Sequence, residues 1–397
     1  MVNKVKLSKI YYVLLIIFII NDVFSESQLV NFSGISVVLT VVRYLDLGIL
    51  VVAIFYRNLN VKKNIIMLLG IISIFIFFNL SIEGSGISLL PVLLFTLMSR
   101  DYSLEKIFKV TIASLLVAHL LVIMCTWGGL LEDNIGSRYI GYSSSLFGGY
   151  YQRHSMGFLV HNQIPLFFMI LYFYIILYKR ENIKFMENIF FMASNYFIFS
   201  LFGARIVFIL VFVVFGGYYV IKIANKVDFK NFSVPWHLSY PILAFFSYVI
   251  FFKYDENNRM WVKLNLFFNN RIEFAHKALK HYGIKLIGSG KNLVGNTVDN
   301  GYLNTMLING VIVCVLLIGI WSYITWIAEK KNNRYLVFIL VILAFENLIN
   351  THLESFKLIP LFCILVNPND PFLDTSFNEK IIKKQKHLFR RIKFLLH

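Results

Sequence analysis

Charge is what this sequence has least of. Charged residues make up 15% of its 397 positions, against about 25% in soluble domains. Acidic residues are the scarcer sign, 21 against 38 Lys and Arg, which leaves a net charge of +17. Cysteine is also rare. Cys125, Cys314 and Cys363 all fall within apolar stretches, which excludes a disulfide framework and any metal-ligand spacing. No small-x-small cleavage site follows the apolar N-terminal segment, which runs into VFSES. That segment therefore reads as a first membrane span and not as a signal peptide. No internal repeat divides the chain into similar halves, which argues against a transporter built from repeats. The positive charges are scattered over many loops and form no single face, so nucleic-acid binding has no support.

What is present is apolar mass. Apolar residues make up 58% of the chain and Phe alone counts 40. They come in blocks of roughly 16–24 residues, the length that crosses a hydrocarbon core as a helix. A backbone in lipid must satisfy its own hydrogen bonds, so these blocks are read as helices. The expected fold is an all-α polytopic membrane protein of about 12 transmembrane helices, with roughly 10–14 compatible with the shorter blocks. The spans lie near residues 9–24, 35–56, 65–81, 87–99, 107–127, 157–178, 187–202, 206–222, 238–252, 301–327, 335–350 and 355–367.

Lys and Arg set the expected orientation. With the N-terminus in the cytoplasm, 17 positive residues fall in cytoplasmic segments before the tail is counted, and three, Arg138, Arg153 and Arg205, in short external ones. Both termini are then cytoplasmic. The chain divides into spans 1–9 with an external loop at 128–156 (residues 1–253), a large external loop (254–300), spans 10–12 (301–367) and a basic cytoplasmic tail (368–397). The basic tail reads as a solvated anchor.

The two external regions hold the chemistry-bearing residues. The segment 128–156 is rich in Gly and Tyr, a pairing that suits close approach and stacking of a sugar and equally suits tyrosines at the headgroup level. The large loop contains RIEFAHKALKHYG (271–283), whose apolar residues recur at helical spacing and whose Gly283 suits a helix stop. It reads as an amphipathic helix on the membrane surface or over a cavity. Arg153, Arg205 and Arg271 converging on one outer cavity would suit a diphosphate, since guanidinium binds phosphate oxygens in pairs and stays charged. Singly, each also suits an interfacial anchor.

These segments, taken in order, resemble the Wzy-type polymerases of polysaccharide (O-antigen, capsular or exopolysaccharide) repeat units, relatives of the O-antigen ligase family. The likeness rests on RHSMGF (153–158) with His161-Asn162, on Gly203-Ala204-Arg205, and on Arg271 with Gly288-Ser289-Gly290 in the large loop. It continues in Asp299-Asn300-Gly301-Tyr302-Leu303, in Gly310, and in Glu346-Asn347 near the end of a late span. It covers roughly residues 130–365.

The resemblance implies a GT-C-like membrane glycosyltransferase on the outer face of the bacterial plasma membrane, multi-pass, acting on undecaprenyl-diphosphate-linked oligosaccharides. The growing glycan would pass from its lipid diphosphate to the nonreducing-end sugar of a new lipid-linked unit. Flippase and chain-length regulator proteins are its candidate partners. No cofactor and no metal is implied, since arginines can neutralise a departing diphosphate and no DxD-like pair lies outside. Arg153, Arg205 and Arg271 would hold the diphosphate. Asp299 stands where the related ligases place a His, so it is the candidate to take the proton from the attacking hydroxyl or to orient the acceptor. Asn300 and Tyr302 would line the acceptor sugar, and His154, His161 and Asn162 would position the donor. Glu346 and His352 are secondary candidates for substrate binding. His276 and His281 are expected to face water.

Within the spans, Arg43 and Asp46, three apart, are expected to pair on one helix face, and His119 to be buried and satisfied by a neighbour. The alternatives are a flippase for the same lipid-linked oligosaccharides and an O-antigen-ligase-type transferase. The length of the loop 254–300 weighs against the first and Asp299 in place of His against the second.

Overall fold

The computed structural model describes residues 2–57, 89–100, 102–140, 149–226, 234–268, 270–288 and 298–374. The chain is mostly helical, with seven helices long and apolar enough to cross a membrane: Leu7–Ser25, Ser33–Tyr56, Leu104–Trp127, Gln163–Asn182, Phe185–Phe202, Arg205–Asn225 and Val311–Lys330. Shorter apolar helices lie at Leu89–Met98, Trp236–Phe252 and Phe356–Leu365. The span expected at 65–81 lies outside the described residues.

In chain order the elements are α1 (Val2–Ser25), α2 (Ser33–Arg57), α3 (Leu89–Met98), α4 (Leu104–Trp127), β1 (Gly136–Ile140), β2 (Gly149–Arg153), α5 (Gln163–Lys179), α6 (Phe185–Phe202), α7 (Arg205–Lys226) and α8 (Ser239–Phe252). They continue with α9 (Arg259–Phe267), α10 (Arg271–Tyr282), α11 (Gly301–Asn309), α12 (Val311–Lys330), α13 (Arg334–Glu346) and the single turn α14 (Ile359–Phe362).

The distribution of apolar side chains is that of a bundle in lipid. The α5 and α13 helices are buried almost all round, while α2, α6 and α7 leave Val37, Val52, Phe190, Phe197, Ile209 and Val220 exposed. A soluble monomer rarely leaves so wide an apolar surface open. The outer helices have apolar neighbours on one side and an apolar solvent on the other.

The two ends of the bundle differ in chemistry. At one end the turns after α5 and α12, the last turn of α7 and the segment after α14 come together. Arg180 Nη1 donates to the Asp374 carbonyl (2.7 Å), Lys331 lies 3.2 Å from the Asp374 carboxylate, and Arg334 Nη1 donates to Asn225 Oδ1 at 3.1 Å. The opposite end gathers the C-terminus of α1, the N-termini of α2, α3, α5 and α11, and the turn between α13 and α14. The basic loops and this second end are thus separated by the length of the bundle.

Three features depart from the sequence reading. The segment 128–156 folds in part as a hairpin, β1 antiparallel to β2 with Gly136 opposite Arg153, so the chain is not purely helical. The span expected over 301–327 is broken at Gly310, which separates α11 from α12. The third is the charge pairing inside the bundle. Arg43 pairs with Asp22 of α1 and not with Asp46, because α1 packs along α2 and offers a carboxylate across the helix interface. Asp46 is buried, and neither of its oxygens has a hydrogen-bond partner among the described residues.

The break at Gly310 is plugged by the end of the large loop. The Val311 amide donates to the Lys285 carbonyl at 3.0 Å and the Ile312 amide to the Leu286 carbonyl at 3.3 Å. These bonds satisfy donors that the start of α12 would otherwise leave open. Gly310 has φ +90°, and a Cβ there would lie 2.5 Å from both the Leu286 carbonyl oxygen and the Gly288 nitrogen. Gly310→Ala is therefore expected to cost about 1–3 kcal/mol in backbone strain alone, with the clash in addition. Gly319→Ala in α12, where a Cβ meets nothing within 4 Å, is the matched control. Thermal unfolding of the two variants in detergent checks this, and equal midpoints would show that the loop does not seat in the break.

Candidate functional site

The mixed end of the bundle encloses a cavity of about 790 Å³, within the range of about 300–1,000 Å³ usual for ligand sites. Four parts of the chain build its wall. The α1–α2 corner contributes Asp22, Glu26 and Arg43; the start of α5 contributes Asn162 and Gln163. Asp299 comes from the residues just before α11, and His352, Glu354 and Lys357 from the turn after α13.

Two cations stand in the wall itself. Arg43 pairs with Asp22. Lys357, its side chain only 2% exposed, sits 2.8 Å from Glu26 Oε2 and donates to Gln163 Oε1 at 2.9 Å. Sequence reasoning placed Arg43 in a structural pair and did not single out Lys357 or Glu26. The available signal was the presence of charged residues within or at the ends of apolar blocks, where a charge without a function is costly.

Two of the expected arginines form the layer behind this wall. Arg153, at the end of β2, donates through Nε to the Phe202 carbonyl at 2.9 Å and through Nη2 to Asn162 Oδ1. Arg271, the first residue of α10, lies 3.0 Å through Nε from Asp299 Oδ2 and donates through Nη1 to the Ile349 carbonyl at 2.8 Å. Each therefore holds a wall residue, Asn162 or Asp299. Arg205 opens α7, and its side chain has no hydrogen-bond or ion-pair partner among the described residues. It does not line the cavity, but the Arg153–Phe202 bond brings Arg153 to the α6–α7 corner beside it.

The turn from Glu346 to Lys357 is the most heavily anchored part of the site. Asn347 Oδ1 accepts from the His352 amide at 3.1 Å, Asn350 Nδ2 donates to Glu346 Oε1 at 2.7 Å, and Trp321 Nε1 donates to the Leu353 carbonyl at 2.9 Å. His352 Nδ1 lies 3.0 Å from Glu346 Oε1. The start of α11 packs directly on this turn. The Gly301 amide donates to the Asn347 carbonyl at 2.8 Å, and a Cβ on Gly301 would lie 2.6 Å from Asn347 Oδ1. That close approach is the physical reason for a glycine within the DNGYL string.

The structure gives Asn300 and Tyr302 framework contacts in place of a cavity position. Asn300 caps α11, its Oδ1 accepting from the Leu303 amide at 2.9 Å and its Nδ2 donating to Ser247 Oγ and the Leu348 carbonyl at 3.1 and 2.9 Å. Tyr302 is buried and its hydroxyl donates to the Ala344 carbonyl at 2.8 Å. Both are 3% exposed or less; Asn300 ties α11 to α8 and to the turn after α13, and Tyr302 ties it to α13.

His154 and His161 lie in the segment before α5, outside the cavity wall. His154 Nδ1 is 2.6 Å from Asp133 Oδ2. Burial alone would raise the Asp133 carboxyl, but that contact and the Ser155 and Met156 amides, each 2.8 Å from Oδ1, outweigh it and hold it below its ordinary value. Burial, and then the Arg153 guanidinium, push His161 below the usual histidine range.

One further histidine departs from expectation. His276 does not simply face water: its Nδ1 lies 2.7 Å from the Phe251 carbonyl and ties α10 to α8, whereas His281 is exposed. His119 is buried and stacked on Phe167 at 3.8 Å between ring centroids. Its Nδ1 contacts the Leu115 carbonyl at 2.8 Å, while Nε2 has no partner among the described residues.

The arrangement can bind an anion against its cations and can hold a polar acceptor against the carboxylates and the imidazole that line the same cavity. Comparison with protein-family models, with curated proteins and with solved structures finds no match.

Proposed function

We propose that this protein polymerises lipid-diphosphate-linked oligosaccharide repeat units at the outer face of a bacterial plasma membrane, as a multi-pass GT-C-like glycosyltransferase of the Wzy type. In this reading the basic ends of α5, α7 and α12 are cytoplasmic and the cavity end faces outward. The single observation that carries it is the cavity itself. It is large enough for a diphosphate with sugars attached, it has Arg43 and Lys357 in its wall, and Arg153 and Arg271 hold that wall from behind.

The diphosphate of the donor lies against the Arg43 and Lys357 cations, drawing them from their carboxylate partners. Arg153 and Arg271 fix Asn162 and Asp299 and add positive potential at the same end. Charge placed in advance where the leaving group becomes more negative is often the largest catalytic term. Arg205, at the α6–α7 corner, extends the positive surface along which the lipid-linked substrate approaches. Asp299 orients the acceptor sugar.

The protein purified in detergent is expected to convert a lipid-diphosphate repeat unit from its own strain into a ladder of regularly spaced products on a gel. Transfer to a different, non-repeat acceptor would make it a ligase. Movement of the intact lipid across proteoliposomes, without a ladder, would sink the enzyme reading and make it a carrier.

A further inference from the structure

Proton acceptance needs a group of its own, because almost every acid in the wall has a donor on it. Asp22 faces Arg43, Glu26 faces Lys357 and Asp299 faces Arg271. Glu354 takes the Asn309 amide, at 3.2 and 3.4 Å to its two oxygens. His352 is the reverse case. It lines the same cavity, and its contact is a carboxylate, Glu346 Oε1 at 3.0 Å from Nδ1. Glu346 is fully buried at 0% exposure, and its second oxygen has no partner among the described residues. The backbone that carries the imidazole is held in place: the Asn347 side chain takes the His352 amide, and Trp321 takes the next carbonyl.

We propose that His352 is the catalytic base of the transfer and that Glu346 is its positioning residue; the inference rests on the polymerase reading above. With the Nδ1 edge turned to Glu346, the Nε2 edge belongs to the cavity. The acceptor hydroxyl oxygen forms a bond to the anomeric carbon of the growing chain, and its proton passes to Nε2. The bond from that carbon to the diphosphate oxygen breaks, and the electron pair leaves on the lipid diphosphate. The buried carboxylate behind the ring favours the imidazolium so formed, as a carboxylate does in acyl-transfer triads. The proton then passes to the released diphosphate or to solvent, and the atoms balance.

The test is the pH dependence of ladder formation by the purified full-length protein. A base must be unprotonated, so the wild-type rate is expected to fall on the acid side of its pH profile. His352→Ala is expected to lose about 10²–10⁴-fold, to lose that acid limb, and to recover in part with added imidazole. Glu346→Gln is expected to lower kcat and move the limb with little change in KM, whereas Glu354→Gln and Asp299→Asn keep it. A flat wild-type profile, a pH-independent loss in His352→Ala without imidazole rescue, or transfer of the limb to Glu354→Gln would overturn the assignment while leaving the polymerase reading intact. The wild-type profile and His352→Gln decide the matter if the alanine variant does not fold. Wild-type protein that makes no ladder at all overturns both.

Discussion

Replacing Arg271 with alanine is expected to reduce ladder formation by about 10²-fold, the cost of letting the groups of a site shift by about 1 Å. The expectation follows from where the guanidinium sits. It begins α10, reaches Asp299 just before α11 and reaches the Ile349 carbonyl in the turn that carries His352. One side chain thus joins the large loop to two separate pieces of the cavity wall. Its loss removes a positive charge close to the proposed diphosphate and frees both Asp299 and the turn at the same time.

Arg271→Lys separates the two contributions. An ammonium keeps the charge but cannot span two partners in the fixed fork of a guanidinium. It is therefore expected to recover only part of the activity. The folded state should survive both changes, because Ile272, Ala275, Ala278 and Leu279 still hold α10 against the bundle. Polymerisation at the wild-type rate by folded Arg271→Ala would remove the large loop from the chemistry.

The bundle was legible in the sequence because lipid imposes one rule on every span. Long apolar blocks must close their own hydrogen bonds, so α1, α2, α4, α5, α6, α7 and α12 could be read from block length alone. The helix at Arg271–Tyr282 was legible for a different reason: its buried residues, Ile272, Ala275, Ala278 and Leu279, recur with the helical period. The break at Gly310 was not, since a glycine in an apolar run reads the same whether the helix continues or stops. It is the backbone of residues 286–288, close to it in space and distant in sequence, that makes a stop necessary.

The site divides in the same way. Arg153, Arg271 and Asp299 could be found because they lie in polar strings near the ends of spans. Asn300 and Tyr302 lie in the same string, yet α11 turns them into its frame, where they act as a cap and as a hydrogen bond to α13. Arg43 was visible but was given the wrong partner. Helix spacing reports neighbours on one helix and carries no information about a carboxylate presented by α1. Lys357 pairs with Glu26 from the other end of the chain, a relation that no local pattern encodes.

That last pair supports the other large prediction. Lys357→Met is expected to destabilise the folded protein by about 3–5 kcal/mol, the range for removing one partner of a buried ion pair. The lower part of the range is expected, because Glu26 is 27% exposed at the cavity and can recover some hydration. Glu26→Gln is expected to cost at least as much, since it leaves an ammonium that is 2% exposed with Gln163 as its remaining polar partner in the wall.

The double variant should be more stable than the sum of the two losses allows, as no unpaired buried charge then remains. Thermal unfolding of the four proteins in one detergent measures that coupling, and additive losses would mean that the pair contributes nothing to the fold. Activity is expected to part company with stability. The double variant regains its fold, but it lacks one of the two cations in the wall and should still polymerise poorly. A rate restored along with stability would leave Lys357 a purely structural residue and would place the burden of holding the diphosphate on Arg43 and the arginines behind it.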